Sequence, residues 1–106
     1  MSKTKTKTAD GDVQKVLKAL GLYENAHNKA EVSAYRYNQA SIRIRVVDPD
    51  LKSLDRIERD EFVWKYLEKL PENVVSQITM LVLLSPGEES KSGSNLEFNR
   101  PSPASL

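Results

Sequence analysis

Two short runs of alternating apolar and polar residues, set in a chain whose other apolar residues recur every three or four positions, place the strongest limit on what this sequence can fold into. Val32, Ala34 and Arg36 oppose Ser33, Tyr35 and Tyr37, while Ile42, Ile44 and Val46 oppose Ser41, Arg43 and Arg45. A period of two puts alternate side chains on opposite faces of a strand. Asn38-Gln39-Ala40 between the runs is short enough for a hairpin turn, although it lacks the Asn-Gly pair that favours the tightest ones. The runs therefore predict an antiparallel β-hairpin.

Helical periods flank the hairpin. Val13, Val16, Leu17 and Leu20 form one amphipathic stripe, with Asp12 as a candidate N-cap and Gly21 as a left-handed stop. A helix that short is marginal alone and must dock on another element. After the hairpin, Asp48-Pro49-Asp50 ends the second strand, because Pro49 has no N–H for a ladder and biases Asp48 away from helix.

From Ser53 to Leu70 the period is helical again, but its phase breaks. Phe62, Val63, Tyr66, Leu67 and Leu70 cluster on one face, and Leu54 and Ile57 fall on nearly the opposite side. One straight helix cannot bury both sets. The expectation is a short helix over Ser53 to Ile57, capped by Ser53, then a corner and a second helix over Arg59 to Leu70. Pro71-Glu72-Asn73 breaks that helix, and Val74 to Leu84 reads as a strand buried on both faces or held at the sheet centre.

The predicted class is thus α/β of the α+β type, in the order α-β-β-α-α-β, with helices packed on one face of a three-stranded mixed sheet. Residues 12–85 form the domain. Residues 1–11, an alternating Lys/Thr tract, and residues 86–106, rich in Ser, Pro, Gly and Asn, are expected to be disordered tails, since neither holds enough apolar surface to offset its ordering entropy.

Composition removes whole classes of function. With no cysteine among 106 residues, disulfides, thiolate zinc sites and cysteine nucleophiles are excluded. No apolar run approaches the roughly 20 residues of a membrane span, and no apolar segment follows the first lysines to make a signal peptide. The expectation is a soluble cytoplasmic protein without membrane contact. Between the tails, acidic and basic side chains balance at eleven each, so the folded part has no excess positive charge to draw phosphate non-specifically.

Catalytic patterns are also missing. There is no Gly-rich loop for phosphate, and the sole histidine, His27, has no serine in a recognised nucleophile setting. Asp48, Asp50 and Asp55 lack the central Gly and closing Glu of a calcium loop. Turn and cap chemistry explains them more simply, and His27 reads as a solvated loop residue. The chain is therefore expected to be no enzyme and to carry no metal or cofactor.

A binding surface is the better expectation. Tyr35 and Tyr37 on one strand and Arg43 and Arg45 on the other share the hairpin face opposite Ile42, Ile44 and Val46, where aromatic rings and guanidinium groups could stack bases and pair phosphates. The same residues also suit an ordinary exposed sheet face with Tyr–Arg cross-strand partners. Trp64, at the border of the long helix's stripe, reads as packing over the corner or as an aromatic anchor for a protein partner.

Val46 to Glu89, VVDPDLKSLDRIERDEFVWKYLEKLPENVVSQITMLVLLSPGEE, resembles the BolA family. The likeness rests on Leu54, Ile57, Arg59, Asp60, Phe62, Val63, Trp64 and Leu67, and on Ser85, Pro86, Glu88 and Glu89, with Arg59 its most specific residue. It implies a class II KH-like fold and a non-enzymatic regulatory module, monomeric or weakly dimeric, that binds a protein partner or nucleic acid. It also implies an alternative, an iron–sulfur adaptor working with a monothiol glutaredoxin. For that role the family carries histidines where this chain has Asp60 and Ser76 or Gln77. The surface expected to meet a partner is Tyr35, Tyr37, Arg43, Arg45, Arg59 and Trp64.

Overall fold

The computed structural model describes residues 10–103. Its elements run α1 (Gly11–Ala26), β1 (Glu31–Asn38), β2 (Ser41–Val47), a 3-10 turn (Pro49–Leu51), α2 (Arg56–Leu67), α3 (Glu72–Val75), β3 (Ile78–Leu84), a second 3-10 turn (Glu89–Lys91) and α4 (Gly93–Asn99). The three strands form one mixed sheet in the order β1-β2-β3, with β1 antiparallel and β3 parallel to β2. The expected class, a three-stranded mixed sheet with helices, is observed, and α4 follows the expected α-β-β-α-α-β order.

The hairpin forms because its alternation offers one continuous apolar face. Val32, Ala34, Ile42, Ile44 and Val46 are buried on that face beneath α1, together with Val13, Val16 and Leu20. The cross-strand pairs Tyr35 with Arg43 and Ala34 with Ile44 set the register. Asn38 stabilises the turn by accepting the Ala40 N–H at 2.9 Å.

The first helix differs from expectation at both ends. Asp10, not Asp12, caps it, accepting the N–H groups of Asp12 and Val13 at 3.0 Å. The helix also runs through Gly21 to Ala26. Glycine permits a left-handed stop without requiring one, and continuing carries Tyr23 into the core at 0% exposure. Tyr23 packs edge-on against Phe62 and Tyr66 and donates its hydroxyl to Asp48 at 2.5 Å. Burial, reinforced by that bond, pushes the phenol above its ordinary range.

The phase break is resolved differently from the expected corner. Asp55, rather than Ser53, opens a single helix with a reciprocal cap: Asp55 accepts the Glu58 N–H at 2.8 Å, and Glu58 accepts the Asp55 N–H at 2.9 Å. Leu54 precedes the helix and reaches the core from the loop, whereas Ile57 stays 72% exposed. The remaining helix-forming residues of the α-α step lie in α3, over Glu72–Val75, where a strand start was expected.

β3 lies at the sheet edge, yet it is covered on both faces: Ile78, Leu81 and Leu83 pack beneath the helices, and Met80, Val82 and Leu84 pack with Phe98 on the other side. Phe98 belongs to α4. The expectation of a disordered tail from residue 86 is thus corrected over Glu89–Asn99, where Ser92 caps α4 by accepting the Asn95 N–H and Phe98 is 6% exposed. One aromatic residue seated on an otherwise bare sheet face supplies the burial that composition alone concealed. The expected N-terminal tail lies, apart from Asp10 and Gly11, outside the described residues.

The two resolutions of the phase break give different mutational signatures. Leu67→Ala should destabilise the fold by about 2–5 kcal/mol, and Ile57→Gln should change it by no more than about 0.5 kcal/mol, both measured by urea denaturation. Equal losses at the two positions would restore the two-helix reading.

Candidate functional site

The sheet has two faces and two edges, and side chains from neighbouring elements decide which of these is free. On the face opposite α1, the four residues singled out on the hairpin do come together. Arg43 lies over the Tyr37 ring, its guanidinium carbon 3.5 Å from the centroid, and Arg45 lies 4.8 Å from the centre of Phe98.

These groups are engaged by the C-terminal segment. Arg43 pairs with Glu97 at 2.9 Å, and Arg45 donates to the side-chain oxygens of Asn95 and Asn99 at 2.9 and 2.7 Å. Tyr35 and Tyr37 donate their hydroxyls to the carbonyls of Phe98 and Ser102 at 2.8 and 2.6 Å. Glu97 is tied further by the Ser102 N–H, and its carboxyl is lowered by that bond first and by Arg43 second. These four residues of the expected surface are engaged by the chain's own C-terminal segment.

Arg59 is also turned inward. Its guanidinium grips both oxygens of Glu88 at 2.7 and 3.0 Å and donates to the carbonyls of Leu54 and Leu83 at 3.0 and 3.1 Å. A planar fork that spans a carboxylate and two backbone oxygens is a task for which lysine is a poor substitute. Glu88 additionally accepts the Ser85 N–H at 3.0 Å. The grip ties α2 to the loop that follows β3.

Two residues of the expected set face unfilled space, Trp64 and, beside its Glu88 pair, Arg59. Trp64 stands half-buried on α2, one turn beyond Asp60 and two beyond Arg56, and with them lines a cavity of about 360 Å³ against Ile78, Thr79, Met80 and Leu81. A second cavity of about 470 Å³ continues it toward Leu84, sharing Arg56, Asp60 and Leu81 and reaching Ser92 and Ser94 beside α4. Together they make a channel along the outer edge of β3. Its walls are α2 and the start of α4, and its floor is the strand.

The floor presents backbone. Leu84 C=O accepts from Asp48 toward β2, and Leu83 C=O accepts from Arg59 on the outside. Alternation then turns Leu81 outward as well. Its N–H and C=O and the Leu83 N–H find no strand partner among the described residues. A register irregularity at Thr79 ends the regular ladder below, and Arg59 closes the edge above. The open stretch is short and centred on Leu81.

The expected partner surface included Trp64 and Arg59 but not Leu81, Arg56 or Asp60. Arg56 and Asp60 stand four residues apart on α2, yet no ion pair joins them. An edge position carries no compositional mark in a strand whose two faces are both apolar. His27, expected to be solvated, instead stacks on Tyr23 with ring centroids 4.3 Å apart and meets Asp50 at 2.7 Å.

The Arg59 grip has a pH signature. Hydrogen bonds from Arg59, then from the Ser85 N–H, hold the Glu88 carboxyl down from its ordinary 4.5 to about 2. A carboxylate with a depressed value adds stability that is complete above its unfolded value and is lost as pH falls through its folded one. The urea midpoint should therefore fall between about pH 4.5 and pH 2. Glu88→Gln should lower the midpoint at pH 7 and flatten this slope; a slope unchanged in Glu88→Gln would show that other carboxylates carry it.

No protein-family model, curated protein or solved structure matches this chain.

Proposed function

We propose that this chain is a non-catalytic binding module of BolA-like kind that takes a protein partner as a short extended segment along the open edge of β3. The carrying observation is the unpaired backbone of Leu81 at the base of the α2–β3 channel. Unsatisfied strand groups recruit a strand, main-chain hydrogen bonds supply affinity, and flanking walls select side chains. Trp64 gives one wall a large apolar body, and Arg56 and Asp60 place one charge of each sign beside it.

Charge favours peptide over nucleic acid. Asp55 and Asp60 line the channel and repel phosphate, while Arg36, Arg43 and Arg59 are each bound to a carboxylate. The iron–sulfur alternative is not supported by the donor set. Where the family carries histidines stand Asp60, Ser76 and Gln77, and the Gln77 amide is committed to Asp12 and the Asn73 carbonyl at 2.9 and 2.8 Å. Carboxylate, hydroxyl and amide are poor substitutes for imidazole at a cluster.

Peptides selected from a random decapeptide display library on the full chain supply the test, followed by amide-resolved NMR. Bound peptides should shift and protect the Leu81 and Leu83 amides, and Trp64→Ala should weaken them by roughly ten-fold or more, as for an interface anchor. Shifts confined to Arg43 and Arg45 on adding short single-stranded DNA or RNA at low salt, with no peptide selected at β3, would overturn the reading in favour of nucleic acid.

A further inference from the structure

We propose that His27, Asp48 and Asp50 form a binding site for one divalent transition-type cation of the Zn2+ class. The three residues come from two elements. His27 is the C-cap of α1, its N–H bonded to the Tyr23 carbonyl at 2.8 Å, while Asp48 and Asp50 begin the 3-10 turn after β2. Tyr23 stacks on the imidazole, and Phe62 meets it edge-on at 5.0 Å. Those rings fix its plane and aim Nδ1 at the turn.

Nδ1 lies 2.7 Å from Asp50 Oδ2 and 3.7 Å from Asp48 Oδ2, and one donor atom from each of the three residues falls within 4.8 Å of the others. Metal–ligand bonds of about 2.0–2.2 Å place tetrahedral ligand atoms roughly 3.3–3.6 Å apart. Asp50 must swing outward by several tenths of an ångström, and its side chain is 59% exposed and free to do so. Asp48 is held in place: its Oδ2 accepts the Tyr23 hydroxyl, and its Oδ1 accepts the Asp50 N–H at 3.0 Å. Such outer-shell bonds orient a ligating carboxylate.

A separate electrostatic observation points to a cation. Asp48 is only 1% exposed, and no Lys or Arg forms an ion pair with it or with Asp50 among the described residues. Asp10, Glu88 and Glu97, all more exposed than Asp48, each have an arginine. Here two carboxylates converge on one imidazole, and a buried carboxylate without a full positive partner is costly. A divalent ion supplies that charge. One nitrogen with two oxygens suits Zn2+ better than Mg2+ or Ca2+, which prefer all-oxygen sites. Three protein ligands leave a fourth position on the Asp50 side for water.

Calorimetric titration of the full chain with ZnCl2, and separately with MgCl2, in a non-coordinating buffer tests the site. One equivalent of Zn2+ should bind and raise the thermal midpoint, Mg2+ should do neither, and the His27 ring nitrogens should shift in long-range 1H–15N spectra. Asp50→Asn should weaken Zn2+ binding at least ten-fold, as should His27→Ala, while Glu72→Gln on exposed α3 should leave it unchanged. Because Asp50 is exposed, its variant keeps the test sound if His27→Ala fails to fold. The absence of one-to-one binding, or equal affinity in Asp50→Asn with unmoved His27 nitrogens, would overturn the site and leave a plain His–Asp hydrogen bond.

Discussion

Asp48 is the point on which the chain's separate elements converge. Its side chain receives the Tyr23 hydroxyl from α1 and the Asp50 N–H from the turn, its N–H donates to Leu84 of β3, and its carbonyl accepts from Leu51. A buried carboxylate is tolerable only when its oxygens are satisfied. Satisfying them requires α1 to extend far enough to deliver Tyr23 and β2 to end where Pro49 begins the turn, and satisfying the Asp48 N–H requires β3 to run parallel at the correct register. The polar constraint thus selects one arrangement from the many that hydrophobic burial alone would allow.

The arginines follow the same logic with the opposite sign. Arg36 meets Asp10 at 2.6 Å, Arg43 meets Glu97, and Arg59 meets Glu88. Each pair joins segments distant in sequence, fastening respectively the start of α1, α4 and the loop after β3 to the domain. Exposed pairs of this kind add little stability on average; bidentate and half-buried ones such as Arg59 with Glu88 also specify geometry. The functional consequence is subtraction. Arginines that looked available for phosphate in the sequence, Arg43 and Arg59 among them, are committed to carboxylates within the fold, and the channel beside β3 carries charges of both signs.

Much of the fold was legible because the period of the apolar residues changes between elements. Val32 to Val46 could alternate only as strands, and Val13, Val16 and Leu20 could share a face only as a helix. What was not legible depended on partners remote in sequence. Gly21 stops a helix or lies inside one according to whether Tyr23 has a buried partner, and that partner, Asp48, is 25 residues away. The C-terminal segment looked too polar to order, yet its Asn, Glu and Ser groups are the complements of Tyr35, Tyr37, Arg43 and Arg45. Each half of that interface reads as solvated when considered alone. The candidate site was legible only in Trp64 and Arg59, since Leu81 owes its role to strand order and His27 to a turn brought against it.

Strand order also explains why one edge is left open with so little exposed. A bare apolar edge invites uncontrolled pairing, and proteins blunt it with bulges, charges or covers. β3 uses all three devices over a few residues: the irregularity at Thr79 below, the Arg59 guanidinium on the Leu83 carbonyl above, and Arg56 and Asp60 on the flanking wall. The groups that remain around Leu81 can satisfy only a short segment approaching within the channel. A long flat strand from an unrelated chain meets Arg59 at one end and a distorted ladder at the other. An edge restricted in this way resists aggregation while leaving a short stretch of backbone unpaired, so on the proposed reading the same residues that protect the strand would set the length of a bound segment.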